Sequence, residues 1–352
     1  MILRPKISVI ITNYNYEEYV GHAIESVLSQ TRLPDEIIVV DDGSTDSSRD
    51  IIRSYGERVQ AVFQSNQGIK SVTNTAYGRT TGEIVMYLDS DDSFYPMAVE
   101  RVEKAFGPGI VKVQFDLDVV DERGRRLGRR MPDFSHRTVT EAEVAREFNE
   151  TGTYRWPVTS GNAYSRGFLK QVMPINSPVS LDGVLNTIAP LYGGIATISD
   201  PQGQYRVHQR NNSRMNSSGK VAFIPDFASR IRYRKQEFDI LREHAARLGH
   251  ELPSGDLLDN ELVFVNYRIM ARKLSREDES DRNRSLFDLG AKGIIAIGRG
   301  RFRWSVALKH VIWISSMTLL PAWLVRRLIE IRFSRTQWWS NVRGRLGGLS
   351  CG

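Results

Sequence analysis

Cysteine is almost missing from this sequence: Cys351, beside the C-terminus, is the single one in 352 residues. No disulfide framework can form within the chain, in keeping with a reducing compartment. Glycine-rich phosphate loops are missing too. After the first strand-like run stands Asn13-Tyr14-Asn15-Tyr16, with no glycine until Gly21, and no Walker lysine loop occurs. This argues against a dinucleotide enzyme, a P-loop ATPase and a nucleotidyltransferase. There is no internal repeat and no low-complexity tract, and Met1-Ile2-Leu3-Arg4-Pro5-Lys6 leads into a strand pattern with no expected signal peptide. Long apolar runs are scarce: Trp304 to Val325 comes nearest, interrupted by Lys309, His310 and Pro321. Acidic residues are scarce in one place, Arg299 to Arg345, where ten basic residues face Glu330 alone. That stretch is +9 in a chain of net +7, leaving −2 for the rest.

What is present is enough apolar material, 41% of residues, for a large core and more than one domain. Lys6 to Thr12, Glu36 to Val40 and Glu83 to Leu88 read as buried strands, and Val59 to Phe63 as a further strand. Helical spacing from Glu18 to Gln30, a helix capped at Ser44 or Thr45 and stopped at Gly56, and a short helix from Gly68 to Gly78 separate them. Strand and helix in alternation predict a parallel sheet wound with right-handed crossovers. Lys112 to Val120, followed by the turn Asp121-Glu122-Arg123-Gly124, predicts an antiparallel addition. Thr138 to Phe148 predicts a helix. Beyond Gly219 the sheet pattern stops, and Pro225 to Leu248 and Asp256 to Leu274 predict long helices.

Three strand ends converge on one edge: Thr12-Asn13-Tyr14, Asp41-Asp42-Gly43-Ser44 and Asp89-Ser90-Asp91-Asp92. In an open α/β sheet that edge carries the ligand crevice. Tyr14 can stack on a base, and Asp42 can accept a hydrogen bond from a pyrimidine N–H or a ribose hydroxyl. The carboxylates after Leu88 repel one another unless a cation sits among them, and oxygen-only ligands suit Mg²⁺ or Mn²⁺. A solvated acidic turn ahead of a helix is the plainer alternative.

Ser8-Val9-Ile10-Ile11-Thr12-Asn13-Tyr14-Asn15, Ser26-Val27-Leu28-Ser29-Gln30-Thr31 and Ile38-Val39-Val40-Asp41-Asp42-Gly43-Ser44-Thr45-Asp46 resemble the opening of the family 2 glycosyltransferases, inverting enzymes of the GT-A fold. Asn66-Gln67-Gly68, Gly82-Glu83 and Leu88-Asp89-Ser90-Asp91-Asp92 continue the likeness in order. The resemblance implies an α/β, Rossmann-like, mostly parallel sheet with helices on both faces. It covers roughly residues 1–215, the expected catalytic domain; the residue pattern and charge beyond it set off a helical extension (216–298) and a basic, apolar tail (299–352). It implies that Thr12 and Tyr14 hold the base, that Asp42 bonds its ring, and that Asp89 and Asp91 form the Asp-x-Asp pair, with Asp91 or Asp92 on the metal. Thr73 stands where the family often has arginine; Lys70, one turn earlier, either replaces that charge or is a solvated helix residue. Val179-Ser180-Leu181-Asp182 resembles the family's acidic pair, with Ser180-Leu181 in place of the frequent preceding acid, and implies Asp182 as the general base; its plainer role is a helix cap. Tyr205-Arg206-Val207-His208-Gln209-Arg210-Asn211-Asn212-Ser213 resembles a further motif, which implies Arg206 near the diphosphate and His208 either on the diphosphate or completing the metal shell; a structural histidine is the plainer reading.

The expectation is a metal-dependent transferase with Mn²⁺ or Mg²⁺, taking a nucleotide-sugar donor, UDP by preference, to a hydroxyl of a glycan or lipid-linked acceptor. A catalytically idle sugar-nucleotide-binding protein is the alternative. The tail predicts helices lying on a membrane surface, at the inner face of the cell membrane of a cytoplasmic protein, with a spanning helix, an oligomer contact or buried helices as rivals. Nucleic acid is not expected, because the basic residues are threaded through apolar runs.

Overall fold

The computed structural model describes residues 4–134, 139–176, 180–208, 226–274, 284–300 and 302–332. Val179, the motif residues from Gln209 to Ser213, most of the charged stretch from Arg276 to Arg284 and the Trp338-Trp339 pair lie outside them.

The described chain divides into two compact units. The first comprises Met1–His208 with Asp239–Leu252. It begins β1 (Ile7–Asn13), α1 (Val20–Leu28), β2 (Glu36–Asp42), α2 (Ser48–Ser54), β3 (Gln60–Gln64), α3 (Ile69–Arg79) and β4 (Ile84–Asp89). β1, β2 and β4 are runs of β-branched and other apolar residues, and Ile7, Val9, Ile11, Val39 and Met86 are fully buried. Continuous apolar strands of this kind belong in a parallel sheet covered on both faces. α1 supplies one cover through Val20, Ala23, Ile24 and Val27. Each such valine or isoleucine removed from water contributes about 1.5–3 kcal/mol.

The remainder of this unit is β5 (Ser93–Phe94), α4 (Ala98–Ala105), β6 (Ile110–Val120), β7 (Arg126–Met131), α5 (Glu141–Thr151), β8 (Asn162–Ser165), α6 (Arg166–Val172), α7 (Leu181–Ile188) and β9 (Gly194–Arg206). The sheet order is β3-β2-β1-β4-β8-β6-β9-β5, with β7 paired to β6. β1, β2, β3 and β4 run parallel. β8 is antiparallel to both β4 and β6, so the second half of the sheet is mixed. The order reverses at β1, which lies between β2 and β4. That is a switch point, the place where open α/β sheets hold their ligands, outside the carboxyl ends. Register aligns the ends: Thr12 pairs with Asp89 on one side, and Asn13 with Asp41 on the other.

Local chemistry moved several helix boundaries. α2 starts at Ser48, because the Ser44 hydroxyl expected to cap it instead accepts from Asn13 Nδ2 (3.2 Å) and from the Asn15 N–H (2.8 Å). α5 starts at Glu141, where Thr140 and Glu143 form a reciprocal capping box. It stops at Gly152, whose φ of 72° is left-handed.

The second unit comprises Gln209–Phe238 and Pro253–Gly352. α8 (Phe227–Leu248) runs through 22 residues and belongs partly to each unit. α9 (Leu262–Lys273), α10 (Leu286–Arg299), α11 (Trp304–Leu319) and α12 (322–332) follow. The single helix expected from Asp256 to Leu274 is divided. A 3₁₀ turn, Leu257–Asn260, precedes α9, and Glu261 between them is extended. Arg234 is buried here between Glu237 (2.6 Å) and Glu261 (2.6 Å). Pro321 divides the apolar run after Trp304, ending α11 at Leu319. Among the described residues no helix is long and apolar enough to cross a membrane.

Candidate active site

The crevice at the ends of β1, β2 and β4 is lined from three directions. After β1, Asn15 takes a left-handed φ of 56°, and its Oδ1 accepts from the Thr45 N–H at 2.8 Å. This pins the β1 exit loop to the β2 exit loop. Thr12 is half-buried in β1, and Tyr14, in the loop, is 45% exposed.

The two carboxylates that end β2 are both tied into the protein. Asp41 is fully buried and meets Arg49 Nε at 2.8 Å, the Ser44 N–H at 3.0 Å and Asn13 Nδ2 at 2.9 Å. Burial opposes its ionisation, but those partners hold it below the ordinary aspartate value. Asp42 accepts from Gln64 Nε2 (2.7 Å) and from the N–H groups of Gln67 (3.0 Å) and Gly68 (2.8 Å). It therefore fixes the loop that opens α3. Gly43 between the loops has φ 81°, and a Cβ there would lie 2.5 Å from the Asn66 nitrogen, so only glycine fits.

The acidic corner follows β4. Asp89, Asp91 and Asp92 present ligand atoms all within 4.8 Å of one another. Asp92 is nearly buried, with Oδ2 accepting from Ser160 Oγ (2.6 Å) and Oδ1 from the Arg206 N–H (2.9 Å). Asp91 Oδ2 faces His208 Nε2 at 2.9 Å. Burial, then the charges of Asp91 and Asp182, pushes Asp89 up to about 8. Burial, Asp91 and Asp89 likewise raise Asp92 well above its ordinary value, against the hydrogen bonds from Ser160 and Arg206. Carboxylates this close repel one another, and their hard oxygen donors suit a divalent cation.

Arg206, at the end of β9, supports this corner from behind. Its Nε donates to the Asp91 carbonyl (2.9 Å), and another guanidinium nitrogen donates to the carbonyls of Glu122 (3.1 Å) and Asp121 (3.4 Å). His208 is buried between two rings, edge-on to Tyr16 (5.4 Å) and stacked on Tyr19 (5.1 Å). The guanidinium of Arg206 lies 5.1 Å from the same Tyr19 ring.

The third side is α7. Asp182 lies in its first turn; Ser180 Oγ accepts from the Gly183 N–H at 3.4 Å, and Asp182 Oδ1 accepts from it at 2.9 Å. The charge of Asp182 reaches Asp89, Lys112 and Tyr164. Lys112 is fully buried, with Nζ on Gln114 Oε1 and the Tyr154 hydroxyl, both at 3.0 Å. Tyr154 in turn donates to the Asn186 carbonyl (2.8 Å), and Tyr164 to Asn186 Oδ1 (3.0 Å). Burial drives the Lys112 amine well below its ordinary value, against the pull of Asp182. Lys70 stands exposed in the first turn of α3, where Ile69, Lys70, Thr73, Asn74, Ile175 and Leu181 line a small recess. Thr73 is buried and bonded to the Ile69 carbonyl (2.8 Å).

Thus Thr12, Tyr14, Asp42, Asp89, Asp91, Asp92, Arg206 and His208 gather at one sheet edge, and Asp182 acts on Asp89 across the crevice. Sequence reading alone did not find Ser160, which locks Asp92 from 68 residues away, nor the Lys112–Tyr154–Asn186 support beneath α7. Tyr16 and Tyr19 were also missed as the rings around His208. Only three-dimensional proximity marks these residues.

Residues 8–172 match the family described as glycosyl transferase family 2. An uncharacterized glycosyltransferase of Nostoc sp. is 37% identical over 220 residues, covering 59% of this chain and 66% of that protein. The chondroitin synthase of Escherichia coli is 32% identical over 164 residues, 45% of this chain and 24% of its own length. The chain therefore spans about two thirds of the first relative and about a quarter of the second. Among solved structures, S. aureus TarS 1–349 in complex with UDP-GlcNAc has a TM-score of 0.52 at 17% identity, covering 96% of this chain and 92% of that one, a likeness of fold. With the family match over the segment that builds the acidic corner, the chain belongs to the family 2 glycosyltransferases.

Proposed function

We propose that this chain transfers a sugar, with inversion, from a UDP-sugar bound at the Asp89–Asp91–Asp92 corner to a hydroxyl of a glycan or lipid-linked acceptor. The observation that carries this reading is a compact carboxylate cluster at the sheet's switch point, with a further carboxylate, Asp182, charged against it from α7. The TarS structure with UDP-GlcNAc and a relative named chondroitin synthase support the donor and acceptor classes.

Asp91 and Asp92 would hold a divalent ion, Mn²⁺ or Mg²⁺, with Asp89 beside them and His208 at the edge. Asp92 keeps both its hydrogen bonds in that role, since each carboxylate oxygen has a second lone pair. When bound, the ion offsets negative charge on the departing diphosphate. Thr12 and Tyr14 take the base, Tyr14 by stacking, and Asp42 completes the base site together with the loop it fixes. Lys70 and His208 approach the diphosphate. Arg206 adds its charge while its hydrogen bonds hold the loop. Asp182 accepts the proton of the acceptor hydroxyl as that oxygen bonds to the anomeric carbon and the bond to the diphosphate breaks on the opposite face. Lys112 through Tyr154, and Tyr164 directly, hold α7 at Asn186. The acceptor is presented at the inner surface of the cell membrane, which the basic, apolar sequence after Arg299 supports.

The test is a panel of nucleotide sugars incubated with the full chain, with and without Mn²⁺, with the anomeric configuration of any product read by NMR. Metal-dependent turnover of a UDP-sugar with inversion is expected. Absence of binding to every nucleotide sugar would end the proposal.

A further inference from the structure

We propose that the outward face of α11 and α12 is the surface by which the second unit binds an anionic lipid bilayer, lying on it without crossing it. This rests on the membrane-surface reading above and goes beyond it by naming the face and the lipid chemistry.

α11 is apolar on two opposite sides. Its inner side is closed: Ile314 and Met317 are buried, and Trp313 donates to Asn266 Oδ1 of α9 at 2.8 Å. Gly290 and Gly293 of α10 allow close approach, since Cβ atoms there would lie 2.9 Å from Thr318 Oγ1 and 3.0 Å from Ile314 Cγ2. The outer side is open. Trp304 (79% exposed), Leu308, Ile312 (57%) and Leu319 (67%) recur at helical spacing along one stripe, and on the next helix, α12, Trp323 is also exposed (65%). A helix that is apolar all round needs cover on every side, and here the protein covers one. An open apolar stripe marks an interaction surface.

Charge selects the occupant. Exposed Arg303, Lys309, Arg326 and Arg327 lie beside the stripe, and Glu330 is the single acid between 302 and 332. A second copy docked across a two-fold axis would bring these like charges together. The sequence beyond 332 adds Arg335, Arg343 and Arg345 and no acid, so it is no better matched. An anionic headgroup layer accepts lysine and arginine at its phosphates and tryptophan at its apolar boundary. The 16 residues of α11 extend roughly 24 Å, short of a hydrocarbon core of about 30 Å, so the helix lies along the surface.

The test is co-sedimentation of the full chain with phosphatidylcholine vesicles, with and without phosphatidylglycerol. One variant carries Lys309→Gln, Arg326→Gln and Arg327→Gln; a second carries Trp304→Ser, Ile312→Ser and Trp323→Ser. Each is checked for helical content by circular dichroism and for UDP binding. Wild type should bind the anionic vesicles far better than the neutral ones. The charge variant should lose about fivefold per residue, roughly a hundredfold in all. The apolar variant should lose at least about tenfold. If it fails to fold, the charge variant, altered only at exposed positions, decides alone. Wild-type binding that survives in both variants would overturn the face and leave the membrane reading standing. Failure of wild type to bind either vesicle would overturn both, with UDP binding still reporting separately on the donor site. A wild-type dimer lost in the apolar variant, with no vesicle binding, would assign the face to a second copy and also overturn the proposal.

Discussion

Replacing Asp182 by asparagine separates chemistry from donor binding. The Asp182 side chain accepts from the Gly183 N–H through Oδ1 at 2.9 Å, and an asparagine carbonyl oxygen can accept the same bond. α7 keeps its Ser180 cap, so stability should change by no more than about 0.5 kcal/mol. What asparagine cannot do is take a proton. Loss of a positioned general base costs roughly 10²–10⁴ in rate, or about 3–5 kcal/mol of barrier. Asp182 is also one of the charges that raises Asp89, after burial and Asp91. Removing it lowers Asp89, so metal has less proton competition, and Mn²⁺–UDP affinity at neutral pH should be equal to or tighter than wild type. Turnover is followed by product chromatography and affinity by calorimetry. A variant that transfers sugar within tenfold of wild type would refute the base assignment, and one that transfers normally but binds UDP poorly would reverse it.

The fold makes further predictions. Asp42→Ala removes the acceptor for Gln64, Gln67 and Gly68. It should cost roughly 1–3 kcal/mol in urea denaturation and raise the donor KM more than it lowers kcat. Gly43→Ala must place a Cβ 2.5 Å from a backbone nitrogen at φ 81°, so its melting temperature should fall by more than an exposed glycine-to-alanine change elsewhere gives. Glu36 is held at about 2, because hydrogen bonds from Lys6, Ser8 and Thr81 outweigh the opposing effect of burial. That contribution is complete above the unfolded value of 4.5 and disappears as pH falls through about 2. Glu36→Gln should therefore be less stable than wild type near pH 6, with the gap in denaturation midpoint closing as pH approaches 2.

Much of this was legible in the sequence, for reasons that differ by element. β1, β2 and β4 announce themselves because parallel strands covered on both faces are near-continuous apolar runs, as Val9 to Ile11, Ile37 to Val40 and Ile84 to Leu88 are. The acidic corner was visible because Asp89, Asp91 and Asp92 are neighbours in sequence. Helix starts were less legible. Ser44 has the right chemistry for a cap, but its hydroxyl is taken by Asn13 and Asn15 in a contact between two loops. The split before α9 was hidden because Glu261, a good helix former, is extended there while its carboxylate holds Arg234. Ser160 and Lys112 were hidden for the same reason: each acts on a partner more than 40 residues away. Lys112 lies in a segment read from the sequence as an antiparallel addition, yet its buried amine stands beneath the helix of the proposed base.

The most direct test of the account is calorimetric titration of UDP into the full chain with Mn²⁺ or with a chelator, repeated on Asp91→Asn. The account predicts tight binding only with metal, and a loss of roughly a hundredfold or more in the variant, in which one charged oxygen of the corner is replaced by an amide. UDP binding that is equally tight in chelator, and unchanged in Asp91→Asn, would contradict it.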